Sequence, residues 1–228
     1  MHPQLIKIES SPDLVDQVYR SLLDAISDGS LAPGARIMQE DIAEQLAVSR
    51  QPVLQALRLL RKDGFVLDAP GRGVLVAPLD VTKLVQIYQV RSALDALAAR
   101  LAARDRYMMD PQLITRGRLV ARGSDVQAMM TADTAFRNAI YLVSGNPLIA
   151  LTAQTHWHHI RRAMGEVLQL STMRESIWDE HEAIAQAIAD GHESKAETLI
   201  RQHGEDAGRN LAHLLDQALF KNHTEDSK

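Results

Sequence analysis

Residues 49–64, SRQPVLQALRLLRKDG, decide the fold of the first third of the chain because they predict a short helix with both ends marked. Ser49 is a typical N-cap residue and Gly64 a typical C-terminal stop. At 100° per residue, the apolar side chains of the packing side fall within a sector about 100° wide. They are Val53, Ala56, Leu57 and Leu60. The opposite side is polar except for Leu54 near its centre, so this side is predicted to bind a partner.

The segments before this helix predict a helix-turn-helix. A first helix is expected to begin at Ser11-Pro12, an N-cap residue followed by proline at the first helical position. A second, short helix is expected over residues 39–46. Ala47-Val48 then leads directly into the quoted helix, which is a helix–tight turn–helix arrangement.

The segment after Gly64 predicts a small β-hairpin. Two β-rich runs, 65–68 and 74–77, flank the turn sequence Pro70-Gly-Arg-Gly73. Arg72 gives the tip of this hairpin a positive charge.

Charge changes sign where the quoted helix begins. Residues 1–48 carry three basic and eight acidic side chains, a net charge of −5, whereas residues 49–78 carry five basic and two acidic ones, a net charge of +3. The whole chain has a formal net charge of −4, which argues against a uniformly basic coat for nucleic acid. A local basic patch at 49–78 is compatible with the phosphates of DNA.

The polar side of the quoted helix and the hairpin tip form the predicted DNA-binding surface. A recognition helix enters the major groove with its N-terminal end first, so Arg50 and Gln51 are expected to reach base edges. Arg58, Arg61 and Arg72 are expected to contact phosphates or an adjacent groove. Leu54 either contacts a thymine methyl group or is a tolerated exposed leucine. Besides Arg61, the predicted set is Arg36, Ser49, Arg50, Gln51, Leu54, Arg58, Arg72 and Gly73.

The stretch GARIMQEDIAEQLAVSRQPVLQALRLLRKDGFVLDAPGRGVLV resembles the winged helix-turn-helix of the GntR family of bacterial transcription regulators. The resemblance implies that the hairpin is the wing and that Ser49, Arg50, Gln51 and the wing contact DNA. In the family, arginine and then glutamate usually follow Pro-Val, and that arginine contacts DNA. Here these positions hold Leu54 and Gln55, so the contact of the missing arginine is not transferred.

The remainder of the chain predicts helices only, near 81–105, 111–121, 125–143, 147–169, 173–190 and 193–219. The expected fold class is therefore mainly α. The expected domains are a winged helix-turn-helix over 1–78, an all-helical bundle over 79–220 and a disordered tail over 221–228. Cysteine is absent, which excludes disulfides and thiolate metal sites. No apolar run is long enough for export or a membrane span, so a cytoplasmic location without membrane contact is expected.

Four of the predicted helices carry charged or imidazole groups on their inward, apolar stripes. These groups are Arg91, Asp133, Arg137, His181 and His203. Buried charges without partners are costly, so the five groups are expected to meet one another or a bound ion around a polar cavity. In the run His156-Trp-His-His159, consecutive positions point in different directions. His156 and His158 are therefore expected at the surface, with His159 nearer the cavity.

Residues 81–219 resemble the FCD effector domain of the FadR subfamily, through Val90-Arg91, Asp133 with Phe136, Ser144-Gly-Asn-Pro147, and His181 with Ile184. In many members an aspartate and three histidines bind a divalent metal. Asp133, His181 and His203 match three of these ligands, but the fourth position is Arg137.

This departure leaves two alternatives. In the favoured one the site is metal-free, and Arg137, Arg91 and the histidines bind a carboxylate-bearing effector. In the other, Asp133, His181 and His203 hold zinc or nickel while Arg137 swings aside. Asn146 either adds an amide contact to the ligand or caps the helix that follows.

The expected function is a homodimeric transcription regulator, acting as a repressor, and not an enzyme. Two recognition helices would read a pseudo-palindromic operator in double-stranded DNA, and a small organic acid in the bundle would alter that binding. One rival is a metal-dependent hydrolase using Asp133, His181 and His203 around a water molecule. A second rival is a helical interaction module that binds protein. Phosphate-loop, dinucleotide and nucleophile-elbow motifs are absent from the sequence.

Overall fold

The computed structural model of the protein describes residues 14–167 and 175–225, with side chains as far as Phe220. The chain divides into two compact units, Met1–Pro78 and Leu79–Lys228. Within the described residues these units hold nine helices and three short strands, so the prediction of a mainly α fold is confirmed. The predicted N-cap at Ser11-Pro12 lies outside the described residues.

The first unit combines three helices with a three-stranded antiparallel sheet. Its elements are α1 (Leu14–Ser27), β1 (Arg36–Ile37), α2 (Gln39–Gln45), α3 (Arg50–Lys62), β2 (Val66–Asp68) and β3 (Val74–Val76). The strand order is β1-β3-β2, so β2 and β3 form the predicted hairpin and β1 adds to its far side. The sequence did not predict β1 because a strand of two residues is too short to show an alternating pattern.

The packing side of α3 lies at the centre of the first unit's core. Val53, Ala56 and Leu60 are fully buried, as the helical periodicity predicts. They pack against apolar side chains of α1, α2 and the sheet. Ala47 makes the turn between α2 and α3 with a left-handed backbone (φ 51°). Since the apolar side of α3 faces the core, its polar side faces away from it.

The second unit contains helices only. Its elements are α4 (Val81–Arg104), α5 (Pro111–Ala121), α6 (Val126–Val143), α7 (Pro147–Val167), α8 (Ile177–Ala189) and α9 (Glu193–Glu225). Three of the helices begin where an aspartate side chain accepts a hydrogen bond from the first turn, namely Asp80, Asp110 and Asp125. None of the helices described here is both long enough and apolar enough to cross a membrane.

Two helix ends differ from the predicted ones. Helix α9 continues to Glu225, into the segment 221–228 for which the sequence predicts disorder, because neither glycine nor proline interrupts residues 209–225. Residues 226–228 lie outside the described part of the chain. The predicted start of α8 at residue 173 also lies outside it.

Close packing between α4 and α9 positions the polar groups of the second unit. A Cβ atom on Gly204 would lie 2.5 Å from Oγ of Ser92, and one on Gly208 would lie 2.7 Å from Cγ of Tyr88. Only glycine therefore allows the two helices to approach this closely. As a result, the inward stripe of α4, which carries Arg91 and Asp95, lies beside the inward stripe of α9, which carries His203.

Candidate functional site

The polar side of α3 is exposed as predicted. Arg50, Gln51 and Arg58 are exposed, and Leu54 is partly buried. Arg50 forms an ion pair with Glu40 at 3.3 Å, while its carbonyl oxygen accepts a hydrogen bond from Gln39. The Arg58 side chain forms neither an ion pair nor a hydrogen bond with any described residue, which leaves its charge available to an external anion.

Ser49 occupies the N-cap position of α3 with an extended backbone (φ −70°, ψ 162°). Its side chain, however, makes no capping hydrogen bond, so the expectation that the hydroxyl caps α3 is wrong for this structure. The chain enters α3 directly from the tight turn at Ala47, and the hydroxyl stays exposed beside the first free N–H groups of the helix.

Arg36 braces the wing from β1. Its guanidinium donates to the carbonyl oxygen of Arg72 at 2.7 Å and to that of Pro70 at 3.2 Å. Donors used in this way shape the hairpin tip, which is a role different from the direct DNA contact that the sequence predicts. The Arg72 side chain has no ion pair or hydrogen bond among the described residues.

Gly73 is fixed by packing as well as by backbone conformation. Its φ is +83°, and a Cβ atom would lie 2.5 Å from the carbonyl oxygen of Ile37 and 2.9 Å from the sulfur of Met38. Any other residue would therefore push the wing away from β1.

The five predicted polar groups of the second unit converge. Arg91 on α4, Asp133 and Arg137 on α6, His181 on α8 and His203 on α9 lie within one connected network. Their helices meet because each buries the stripe that carries the group. Asp95 also belongs to this network, through its contacts with Arg137 and Arg91. It is fully buried, and the sequence did not predict it as a site residue.

Arg137 is the centre of this network. Its Nε donates to Asp133 at 3.1 Å, one terminal nitrogen donates to Asp95 at 2.5 Å, and the other lies 2.9 Å from Nε2 of His203. The hydroxyl of Tyr141 donates to the second oxygen of Asp95. Burial disfavours the charge of Arg137, but Asp133 and Asp95 outweigh it and raise the pKa of the guanidinium above its usual value.

The same charges keep Asp133 ionised. Burial would raise the pKa of this carboxyl, but Arg137 and then Arg91 overcome that effect and hold the pKa well below its usual range. Arg91 forms a hydrogen bond of 3.5 Å to Asp133, and its Nε lies 3.8 Å from Asp95. The network thus holds two guanidinium groups and two carboxylates, which balance in charge.

The two histidines lie against each other at the edge of the network. Nε2 of His181 is 3.2 Å from Nε2 of His203 and 3.5 Å from Asp133, while Nδ1 of His203 is 2.6 Å from Glu180. Because Arg137 can only donate, Nε2 of His203 accepts and its Nδ1 carries the proton towards Glu180. Burial, opposed by the charge of Asp133 and reinforced by Arg137 and Arg91, holds the pKa of His181 well below its usual value, so this ring is neutral.

Asp133, His181 and His203 offer a set of metal-ligand atoms that lie within 4.8 Å of one another. Arg137 disagrees with a metal there, because its guanidinium occupies the Nε2 lone pair of His203 that a cation would need and holds a fixed positive charge on Oδ2 of Asp133. The arrangement present is therefore a metal-type triad whose interior faces a fixed positive charge.

A cavity of about 290 Å³ opens beside the network. Arg91 and Arg137 line it together with Tyr141, Trp157 and His158. The guanidinium of Arg91 lies over the rings of Trp157 and Tyr88, with distances of 5.3 and 5.8 Å to the ring centroids. Cationic, aromatic and hydroxyl groups on one wall suit a small anionic ligand.

The structure agrees with one of the two alternatives for Asn146 and differs from the predicted placement of His158. Asn146 does not line this cavity, and its Oδ1 accepts a hydrogen bond of 3.1 Å from the backbone of Leu148, which caps the start of α7. His158, expected at the surface, lines the cavity instead of His159, because α7 turns His158 and Trp157 towards α6.

The sequence analysis also missed Asp95, Tyr141 and Trp157. Asp95 follows Arg91 by four residues and therefore shares its helix face, which is the signal that could have found it. Tyr141 follows Arg137 at the same spacing.

Comparison with known proteins agrees with this architecture. The model of the bacterial regulatory proteins of the gntR family matches residues 14–76, and the FCD domain model matches residues 86–206, more than half of the chain. The HTH-type transcriptional regulator McbR of Escherichia coli is 28% identical over 178 residues, covering 74% of this chain and 80% of McbR. A probable D-xylose utilization operon transcriptional repressor of Paenarthrobacter nicotinovorans is 26% identical, covering 83% and 85% of the two chains.

Solved structures show the same fold. The structure of E. coli McbR/YncC superposes with a TM-score of 0.71 at 22% identity, covering 92% of this chain and 99% of that one. A putative GntR transcriptional regulator from Rhodococcus sp. RHA1 superposes with a TM-score of 0.69 at 25% identity, covering 86% and 96%. With its helix-turn-helix and its FCD domain, the chain belongs to the GntR family of bacterial transcription regulators.

Proposed function

We propose that this regulator is a cytoplasmic repressor. Its binding to a pseudo-palindromic operator would be controlled by a small carboxylate bound in the second unit. The observation that carries the proposal is the state of Arg91. Its guanidinium faces the cavity, yet the only hydrogen bond it makes to a described residue is the 3.5 Å contact with Asp133. Most of its five N–H donors are thus left for a ligand.

The DNA-binding surface of the proposal is α3 with the wing. Arg50 and Gln51 at the N-terminal end of α3 would reach base edges, and Ser49, Arg58 and Arg72 would contact phosphates. The available charges of Arg58 and Arg72 support this assignment. Arg36 and Gly73 would act by holding the wing in shape. Leu54, partly buried on the outer side of α3, would lie against a thymine methyl group.

A second copy of the chain is the proposed partner, since a pseudo-palindromic site needs two recognition helices related by a two-fold axis. Exposed leucines at the end of α6 and the start of α7 provide apolar surface for such a contact. They are Leu142, Leu148 and Leu151, with exposed fractions of 82%, 66% and 64%.

A carboxylate effector would dock against Arg91 and the rings that flank it. The guanidinium lies over the rings of Trp157 and Tyr88, and its ion pairs with Asp133 and Asp95 are long, at 3.5 and 3.8 Å. Binding would shift DNA affinity only as far as the ligand prefers one of two conformers.

The hydrolase alternative uses the same triad and is less well supported. Asp133, His181 and His203 do come together, but a hydrolytic metal would need the Nε2 lone pair of His203 that Arg137 engages. The relatives named above are transcription regulators rather than hydrolases.

The test is fluorescence anisotropy with a duplex selected by the protein from a random-sequence library. We expect salt-sensitive binding by the wild type and release of the duplex by one or more members of a panel of small mono- and dicarboxylates. Arg91→Lys is the matched variant, because it keeps the charge but loses the planar fork. We expect it to bind DNA normally and to need at least about tenfold more carboxylate for release. The proposal would be contradicted if the protein selected no duplex, or if the same carboxylate concentration released the wild type and Arg91→Lys.

A further inference from the structure

The Asp133–His181–His203 triad has the spacing of a metal site. Ligand atoms at about 2.1 Å from a tetrahedral zinc ion stand roughly 3.4 Å apart. Nε2 of His181 lies 3.2 Å from Nε2 of His203 and 3.5 Å from Oδ1 of Asp133, which are distances of that kind. Two of the three spacings of the triad thus match a zinc site, and all three ligand atoms lie within 4.8 Å of one another. The group that occupies the fourth side decides whether a cation is held.

Arg137 supplies that fourth side. Its Nε donates to Asp133 at 3.1 Å and a terminal nitrogen lies 2.9 Å from Nε2 of His203. The contact with His203 uses the only lone pair of Nε2, and the contact with Asp133 is to Oδ2, which places a fixed positive charge beside the Oδ1 atom that faces His181. A lone pair that accepts a hydrogen bond from a guanidinium is not free to coordinate, and an arginine cannot lose its proton to become a ligand.

Asp95 fixes the position of Arg137. Its remaining terminal nitrogen donates to Asp95 at 2.5 Å, and Asp95 is fully buried and bonded to the hydroxyl of Tyr141. Swinging the guanidinium away would break this contact and leave Asp95 as a buried carboxylate whose only cationic partner among the described residues is Arg91, at 3.8 Å. The packing thus opposes the rearrangement that a metal would require.

The charges of the buried groups also disfavour a metal ion. Arg91 and Arg137 neutralise Asp95 and Asp133, and Glu180 adds one negative charge beside His203. A dication added to this buried set would leave an excess positive charge beside two guanidinium groups that stay protonated.

We propose that Arg137 is a built-in replacement for a divalent cation, so that the pocket beside it forms and binds its ligand without metal. The guanidinium ties α6, through Asp133, to α4 through Asp95 and to α9 through His203. It thereby makes the cross-links between helices that a metal ion would make. The inference concerns the site of the proposed function but does not depend on the effector being a carboxylate.

The experiment compares the full-length wild type with Arg137→His, which offers an imidazole to the triad in place of the guanidinium. Both proteins are purified without an affinity-tag metal, and their metal content is measured by inductively coupled plasma mass spectrometry after dialysis against zinc or nickel. Thermal unfolding is recorded with zinc and with EDTA. We expect substoichiometric metal in the wild type and no change in its Tm with either addition.

For Arg137→His we expect about one zinc ion per chain and a Tm that rises by roughly 5–10 °C when zinc exceeds its Kd a hundredfold. The double variant Arg137→His with His203→Ala is the control, and it should lose both effects. Stoichiometric metal in the wild type, or a folded Arg137→His protein that takes up none, would overturn the proposal. If Arg137→His does not fold, the metal content of the wild type and the response of its Tm to EDTA still test the proposal.

The two proposals fail in different ways. If carboxylates release the wild type from DNA only after zinc is added, the metal-free site is wrong and the effector assignment stands. If carboxylates have no effect in zinc or in EDTA, the effector assignment is wrong, whereas the metal measurements still test Arg137.

Discussion

Arg91 and Arg137 line the same cavity, but their guanidinium groups are bonded very differently. Arg137 is tied to Asp133, Asp95 and His203 at 2.5–3.1 Å, whereas Arg91 has one hydrogen bond of 3.5 Å among the described residues. A guanidinium with three short bonds acts as part of the framework, and one that lies over two aromatic rings with a single long hydrogen bond is available to a ligand. This division gives the two arginines different predicted phenotypes.

Removing the charge of Arg137 should destabilise the protein strongly. Arg137→Met leaves the buried carboxylates of Asp95 and Asp133 without their main partner, and breaking a buried pair in this way costs about 3–5 kcal/mol. The free energy of unfolding is measured by denaturant titration. Arg122→Met is the matched control because Arg122 forms an exposed ion pair with Glu175, and its effect should be much smaller. Equal effects of the two substitutions would contradict a framework role for Arg137.

Loss of a phosphate contact should weaken DNA binding and reduce its dependence on salt. Arg58→Ala and Arg72→Ala are each expected to lower the slope of log affinity against log salt by about 1. Arg20→Ala is the control, because Arg20 on α1 is exposed but paired with Asp16. Anisotropy titrations over a series of salt concentrations provide the slopes. Unchanged slopes for both variants would place α3 and the wing away from the phosphates.

Stability should fall in mild acid because of His181. Burial lowers the folded-state pKa of this ring, so its contribution is fully present above the unfolded-state value of about 6.5 and is lost as the pH falls below it. Denaturant titrations between pH 8 and pH 5 should therefore show a steeper decline for the wild type than for His181→Gln, which cannot titrate. Parallel curves would mean that His181 is not held neutral in the folded protein.

The sequence predicted the fold and most of the site because both rest on periodicity. A polar residue on an apolar helix stripe is visible without coordinates, which is why five such residues could be grouped together. They form one network, but only Arg91 and Arg137 of the five line the cavity, whereas the sequence predicts all five around it. Asp95 was missed as a site residue although it shares a helix face with Arg91. Arg91 had already been taken as the polar group of the inward stripe of α4.

Other features could not be predicted because they depend on tertiary contacts. The contacts of Arg36 with Pro70 and Arg72 join positions far apart in the chain, so its role in bracing the wing has no local signal. The rotation of α7 that brings His158 to the cavity is set by packing against α6, and the pattern of its own residues does not fix it.

The most direct test of the account is the binding of a carboxylate beside Arg91, followed by tryptophan fluorescence. Trp157 lines the cavity, whereas the other tryptophan, Trp178, is buried against Phe136 and His181. In EDTA, a carboxylate that releases the operator should change the fluorescence saturably with the same midpoint. The change should be lost in Trp157→Phe and shifted at least about tenfold in Arg91→Lys. A carboxylate that releases DNA without altering Trp157, or that acts equally on Arg91→Lys, would contradict the account.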